Sequence, residues 1–165
     1  MDVVYRDTIT SADIAKIANK FYRVTDIVIH ATGSKSGKPM TMKDLNKIWR
    51  ERGWSRGGYQ YLIQPSGERM VDVEVKDCLL TDKTWRYGVK DHNHSTINIA
   101  WVGGYEGKDT RTDACKIEMH RLVKELIDRC PSGVRVRGHN EFKGVKKSCP
   151  NFKASVEFAY LLKKE

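Results

Sequence analysis

Residues 26 to 32 read DIVIHAT, three β-branched aliphatics in a row followed by a histidine, and they run into GSKSGKP, residues 33 to 39. Glycines, serines and a proline cannot sustain regular structure, so the apolar run stops there. A short run of β-branched residues with such a boundary reads as a buried strand. Side chains two apart on a strand share a face, which groups Val28, His30 and Thr32. A lone histidine in that setting is more often a satisfied core residue than a functional one.

Outward from this strand, the chain alternates between the two periods. On the N-terminal side Ser11 caps ADIAKIANKFY, whose Ile14, Ile17, Ala18 and Phe21 recur at helical steps up to Tyr22. On the C-terminal side Thr41 opens MKDLNKIWRERGW, a helix with Met42, Leu45, Ile48 and Trp49 on one face and Gly53 as its stop. A strand over Tyr59 to Gln64, the turn Pro65-Ser66-Gly67 and a partner over Arg69 to Val75 form a hairpin-like unit. STINIAWVGG, Ser95 to Gly104, is a further buried strand. Thr112 to Asp128 is a long amphipathic helix that turns Ile117, Leu122, Val123, Leu126 and Ile127 to the core. VRVRG is a short strand leading to His139, and Ala154 to Leu162 a terminal helix. Interspersed strands and helices predict a single α+β domain, a mixed central sheet flanked by helices. Its parts are an N-terminal helical extension (1 to 24), a core (25 to 153) and a C-terminal helix (154 to 165).

Bulk properties bound the function. With 165 residues, 39% hydrophobic and 31% charged, the chain has the make-up of a globular protein able to bury a core unaided. No apolar run approaches the roughly 20 residues of a membrane span. The N-terminus has no basic region followed by an apolar stretch, so no secretory signal is expected. The net charge of +9 implies attraction to polyanions, and seven basic against two acidic residues between Lys35 and Arg56 concentrate part of it. Basic charge with tyrosines and tryptophans is also what a nucleic-acid binder would show, but no recognition motif of that class is present and none is expected. Four cysteines at wide, irregular spacing indicate neither a disulfide framework nor a zinc finger; Cys78, Cys115 and Cys130 read as small buried or half-buried thiols.

Against the bland reading of His30 stand two further reactive groups, His139 in RGHNEF and Cys149 in SCPNF, both outside regular structure. Two imidazoles and a thiolate can hold a tetrahedral zinc with one position open to water. The three are far apart in the chain, so no periodicity shows that they meet. His92 and His94, one residue apart, would share a face of a strand as a second pair of metal ligands, but read rather as residues of a polar loop that contacts substrate or nothing. His120 falls among charged residues on a helix and reads as a surface residue.

Six motifs in order, IVIHAT (27 to 32), the helix ending in RGW (52 to 54), GGYQYLI (57 to 63), TINIAWVGG (96 to 104), RGHNEF (137 to 142) and KKSCPNF (146 to 152), resemble the zinc amidases of the phage-lysozyme and peptidoglycan-recognition type. The resemblance covers Asp26 to Phe152. It implies one Zn2+ held by His30, His139 and Cys149, with Tyr59 and Lys147 as catalytic residues. It implies hydrolysis of the bond between N-acetylmuramic acid and L-alanine in bacterial peptidoglycan, by a monomer. An enzyme of this kind without an export signal would be a phage or prophage endolysin, cytoplasmic until lysis. A polymerase-binding role, known from a phage lysozyme of this kind, is something nothing in the sequence tests. Some members bind muropeptides without cutting them and lack the cysteine, which makes a binding module the main rival. Three departures stand out. Gln60 replaces a histidine common after the tyrosine, Asn98 replaces a usual glycine, and the substrate-facing histidine has only His92 or His94 as counterparts.

Overall fold

The computed structural model describes residues 21–35, 37–130 and 133–162. The helix expected over Ser11 to Tyr22 lies outside these residues except at its end, where Tyr22 instead opens a two-residue strand, β1 (Tyr22–Arg23). DIVIHA forms β2 (Asp26–Ala31), buried along its whole length. Then come helix α1 (Met42–Glu51), strands β3 (Tyr61–Ile63), β4 (Arg69–Val71), β5 (Leu79–Leu80) and β6 (Thr96–Trp101), helix α2 (Asp113–Arg129), β7 (Arg135–Gly138) and a short α3 (Ala154–Glu157). The expected terminal helix is broken: α3 gives way to a 3-10 turn over Ala159–Leu162.

Five strands make the main sheet in the order β4, β3, β6, β2, β7. β2 is parallel to both β6 and β7, β3 is parallel to β6, and only the edge strand β4 runs antiparallel, against β3. Parallel strands need cover on both faces, and β2 and β6 are buried at every position. On one face the side chains of Ile27, Ile29, Tyr61, Ile97, Ile99 and Trp101 pack under Cys115, Met119, Leu122, Val123 and Leu126 of α2. On the other face, Leu62 and Ala100 pack against Leu45 and Trp49 of α1, and Val28 packs with Val89 and Phe142.

Both long helices are capped by the threonine that precedes them. Thr41 Oγ1 accepts from Asp44 N–H while the Asp44 carboxylate accepts from Thr41 N–H, and Thr112 Oγ1 accepts from Cys115 N–H. Two expectations are overturned here. Ile117 is 53% exposed, because the buried stripe of α2 runs through Cys115, Met119, Leu122 and Leu126, and position 117 lies on the opposite side of the helix. Cys78 and Cys130 are not free thiols but a disulfide, joining the loop before β5 to the C-cap of α2. Cys115 is a buried free thiol, as expected.

Candidate metal centre and cleft

Ligands of open parallel sheets bind beyond the carboxyl ends of the strands, and the candidate metal ligands of this sheet lie there. Ile29 of β2 is in register with Gly138, the last residue of β7, so the next residues along the two strands are His30 and His139. Their ring centroids are 4.9 Å apart. Cys149 arrives from the following loop, which Asn140 fastens by donating from N–H to Cys149 O at 2.8 Å and from Nδ2 to Ser148 O at 3.1 Å. Gly138 lets that loop close in, since a Cβ there would lie 2.6 Å from Pro150 Cδ. The Ala31 N–H donates to Cys149 Sγ at 3.0 Å, tying the thiol to the end of β2.

One ligand atom from each of His30, His139 and Cys149 lies within 4.8 Å of the others. Bonds of about 2.0–2.3 Å around a tetrahedral ion put such atoms roughly 3.3–3.8 Å apart, so the cradle needs at most about 1.5 Å of contraction. Its chemistry also suits a cation. Burial, with the neighbouring His139 adding to it, lowers the His30 pKa to about 3, which keeps the imidazole neutral, the state that ligates. His139 is lowered as well, by burial and then by the charge of Lys147. Burial pushes the Cys149 thiol up to about 11, against the Ala31 N–H and Lys147, both of which favour the thiolate. A bound divalent ion is what such a thiol needs to deprotonate at neutral pH. The donor set and its surroundings therefore fit zinc.

A cavity of about 720 Å³ opens over this cradle and is lined by all three residues together with Tyr59 and Lys147. The Tyr59 ring stands 5.1 Å from that of His30 and 5.6 Å from that of Trp49, centroid to centroid. Burial raises its hydroxyl pKa well above the ordinary tyrosine value, with the nearby Cys149 adding to the rise. Tyr59 is thus a hydrogen-bond donor rather than a base. Lys147 is exposed at the rim.

The remaining predicted contacts sit elsewhere. Gln60 is fully buried and lies outside the cavity lining. His92 packs against Phe142, and His94 against Tyr22 and Trp85; neither lines the cavity. Lys90 and Asn93 of the same loop do, as do Arg52 and Trp54 of the RGW motif just after α1. His120 is half-buried rather than superficial, held between Glu157 and Tyr160. Asn98, a departure from the family pattern, places its Oδ1 2.8 Å from His30 Nε2.

The family profile described as N-acetylmuramoyl-L-alanine amidase matches residues 20–152. The chain belongs to this amidase family. Among curated relatives, the endolysin of Escherichia phage T7 is 23% identical over 143 residues, covering 84% of this chain and 89% of that protein. The endolysin of Enterobacteria phage T3 is 26% identical over 145 residues, with the same coverage of 84% and 89%. The fold is that of the N-acetylmuramoyl-L-alanine amidase LysC from Clostridium intestinale URNW, with a TM-score of 0.67 at 20% identity over 87% of this chain and 88% of that one. It is also that of Drosophila PGRP-LB, at a TM-score of 0.62 and 15% identity over 84% and 81% of the two chains. Among the described residues no helix is long and apolar enough to cross a membrane.

Proposed function

We propose that this amidase hydrolyses the bond between N-acetylmuramic acid and L-alanine in bacterial peptidoglycan with one zinc ion held by His30, His139 and Cys149, and that it serves a phage or prophage as an endolysin. Membership of the amidase family carries the reaction. The observation that carries the metal is the meeting of two neutral imidazoles and a thiol on the floor of a cleft whose walls include Tyr59 and Lys147. The endolysin role draws on the phage relatives.

Bound zinc would supply Lewis-acid activation of the amide carbonyl and of water. The protein's own groups handle the charge that develops. Lys147 brings a positive charge to the side of the cleft where Cys149 and His139 sit, next to where the carbonyl oxygen turns negative. Tyr59, kept protonated by burial, donates a hydrogen bond to the same oxygen. Arg52 and Lys90 make the rim basic and favour an anionic wall polymer, with binding that weakens as salt rises.

Metal analysis paired with a muropeptide digest tests this reading. Wild type should carry one zinc per chain and release free stem peptides beginning at L-alanine; Cys149→Ala should lose both properties. Cleavage that persists in zinc-free protein would end the metalloenzyme reading. Zinc retained with no cleavage of any wall would instead mark a binding module.

A further inference from the structure

We propose that Asn98 is the positioning residue that commits His30 to ligate through Nδ1, and that Gly88 is there to house it; the inference rests on the zinc reading above. Asn98 sits on β6, fully buried, on the same face of the sheet as His30. Its Oδ1 is 2.8 Å from His30 Nε2, and which partner donates follows from the groups behind it.

Gln60 spends its amide Nε2 on the Thr84 carbonyl at 3.0 Å, so it turns Oε1 toward Asn98. That oxygen accepts from Asn98 N–H at 2.7 Å and faces Asn98 Nδ2 at 3.4 Å. The Thr96 hydroxyl donates to the His92 carbonyl at 2.9 Å, which leaves its lone pairs for Asn98 Nδ2 at 3.2 Å. With acceptors on the Nδ2 side, the amide has one orientation, and Oδ1 is what it offers to His30. His30 must then carry its proton on Nε2 and present an unprotonated Nδ1 to the cradle. A histidine whose second nitrogen is held this way is fixed in tautomer and ring angle, the usual means by which an outer partner tunes a metal ligand.

Gly88 completes the arrangement. A Cβ at position 88 would lie 1.9 Å from Asn98 Oδ1 and 2.0 Å from its Cγ. No side chain at 88 is compatible with the Asn98 amide in this place. Gln60 also gains a role that its absence from the cleft left open: it orients the residue that orients the ligand.

Two measurements test the inference on the full chain. In zinc-loaded wild type, nitrogen NMR of the histidines should show His30 metallated at Nδ1 with a slowly exchanging proton on Nε2; zinc on Nε2 would overturn the proposal without any variant. Chelator competition should then show zinc affinity falling about 10–100-fold in Asn98→Ala. Gly88→Ala should weaken zinc to a similar degree by evicting the amide, whereas Asn98→Asp, which keeps an acceptor at the same place, should retain Nδ1 ligation. If Asn98→Ala and Gly88→Ala melt as folded proteins and hold zinc within twofold of wild type, Asn98 is mere packing. Wild type that takes up no zinc would instead sink the parent reading, and this one with it.

Discussion

The two faces of the central sheet are made from the same strands and do opposite jobs. Along β2 and β6, Ile27, Ile29, Ala31, Ile97, Ile99 and Trp101 enter an apolar core under α2. The residues between them, Val28, His30, Asn98 and Ala100, face the other way. A strand period of two therefore lets one hexapeptide be scaffold on one side and site on the other. The difference teaches what a polar group needs in order to be buried in a parallel sheet. His30, Asn98 and Gln60 are all buried, and each has a partner of matched donor or acceptor character. On the α2 face these strands carry one such group, the Trp101 indole N–H, and it donates to Pro150 O at 3.3 Å.

If that division is real, substitutions on the two faces must separate stability from catalysis. Leu122, fully buried on α2, is the place to break the scaffold. Leu122→Ala should cost about 2–5 kcal/mol of unfolding free energy, read from a denaturant midpoint. Activity per folded molecule should be unchanged. Tyr59→Phe should do the reverse: it keeps the ring on His30 and Trp49 and removes only the hydroxyl. Its kcat should drop about 10²–10³-fold, the size of losing one oxyanion donor, while the melting temperature stays close to wild type. A Leu122→Ala protein that is folded yet inactive, or a Tyr59→Phe protein that is active but unstable, would dissolve the distinction.

How much of this was legible beforehand follows the same division. The α2 face is a matter of hydrophobic period, and β2, β6, α1 and α2 could be read from it. Where period failed, it failed for local reasons. Ile117 has the right chemistry at the wrong angle, and Cys115 and Met119 take the place it was expected to fill. β1 and β5 have two residues each, too few for any alternation to register.

The site face is harder, because its residues meet only through sheet register and loop closure. Ordered motifs named His30, His139 and Cys149, but no spacing could bring them together. The loop that carries His92 and His94 includes Asp91 at a left-handed φ of 69°. Side-chain direction after such a reversal no longer follows strand alternation, and it is Lys90 and Asn93 that reach the cleft. Asn98 looked like an isolated substitution because its counterpart, Gly88, is ten residues away in a different segment.

The disulfide offers a third, intermediate test on the scaffold side. Cys78 and Cys130 are 52 residues apart and both belong to the α2 core. Closing a loop of that length restricts the unfolded chain, and removing such a link commonly costs about 2–4 kcal/mol. A Cys78→Ser/Cys130→Ser double variant should therefore unfold at lower denaturant, with kcat intact. An equal loss of zinc and stability would mean that the link also shapes the cleft.

The smallest effect expected is a pH dependence at the seam between the two regions. Arg111 precedes α2, its side chain only 2% exposed, and it stands 3.5 Å from the Phe152 ring centre, three residues beyond Cys149. Glu157 on α3 and Asp109 both pair with it, at 2.7 and 2.9 Å. Burial opposes ionisation of Glu157, but hydrogen bonds from Arg111 and His120 outweigh it and hold the carboxyl below its ordinary value. Asp109 is lowered in the same way by Arg111. A carboxyl more acidic in the folded state than in the unfolded chain stabilises the fold above its unfolded pKa, about 4 for these groups, and that contribution fades as pH falls through the lower folded value. Unfolding midpoints measured from neutral pH downward should decline in two stages. The first lies below about pH 6.5, where the unfolded chain protonates His30 and His139 that the fold holds neutral, and the second below about pH 4, where the carboxyl contribution is lost. In Glu157→Gln the neutral-pH midpoint should be lower and the acid decline shallower, because the variant has already lost what wild type loses on protonation. An acid decline identical to that of wild type would place the titrating carboxyls elsewhere and leave the seam held by packing on Phe152 alone.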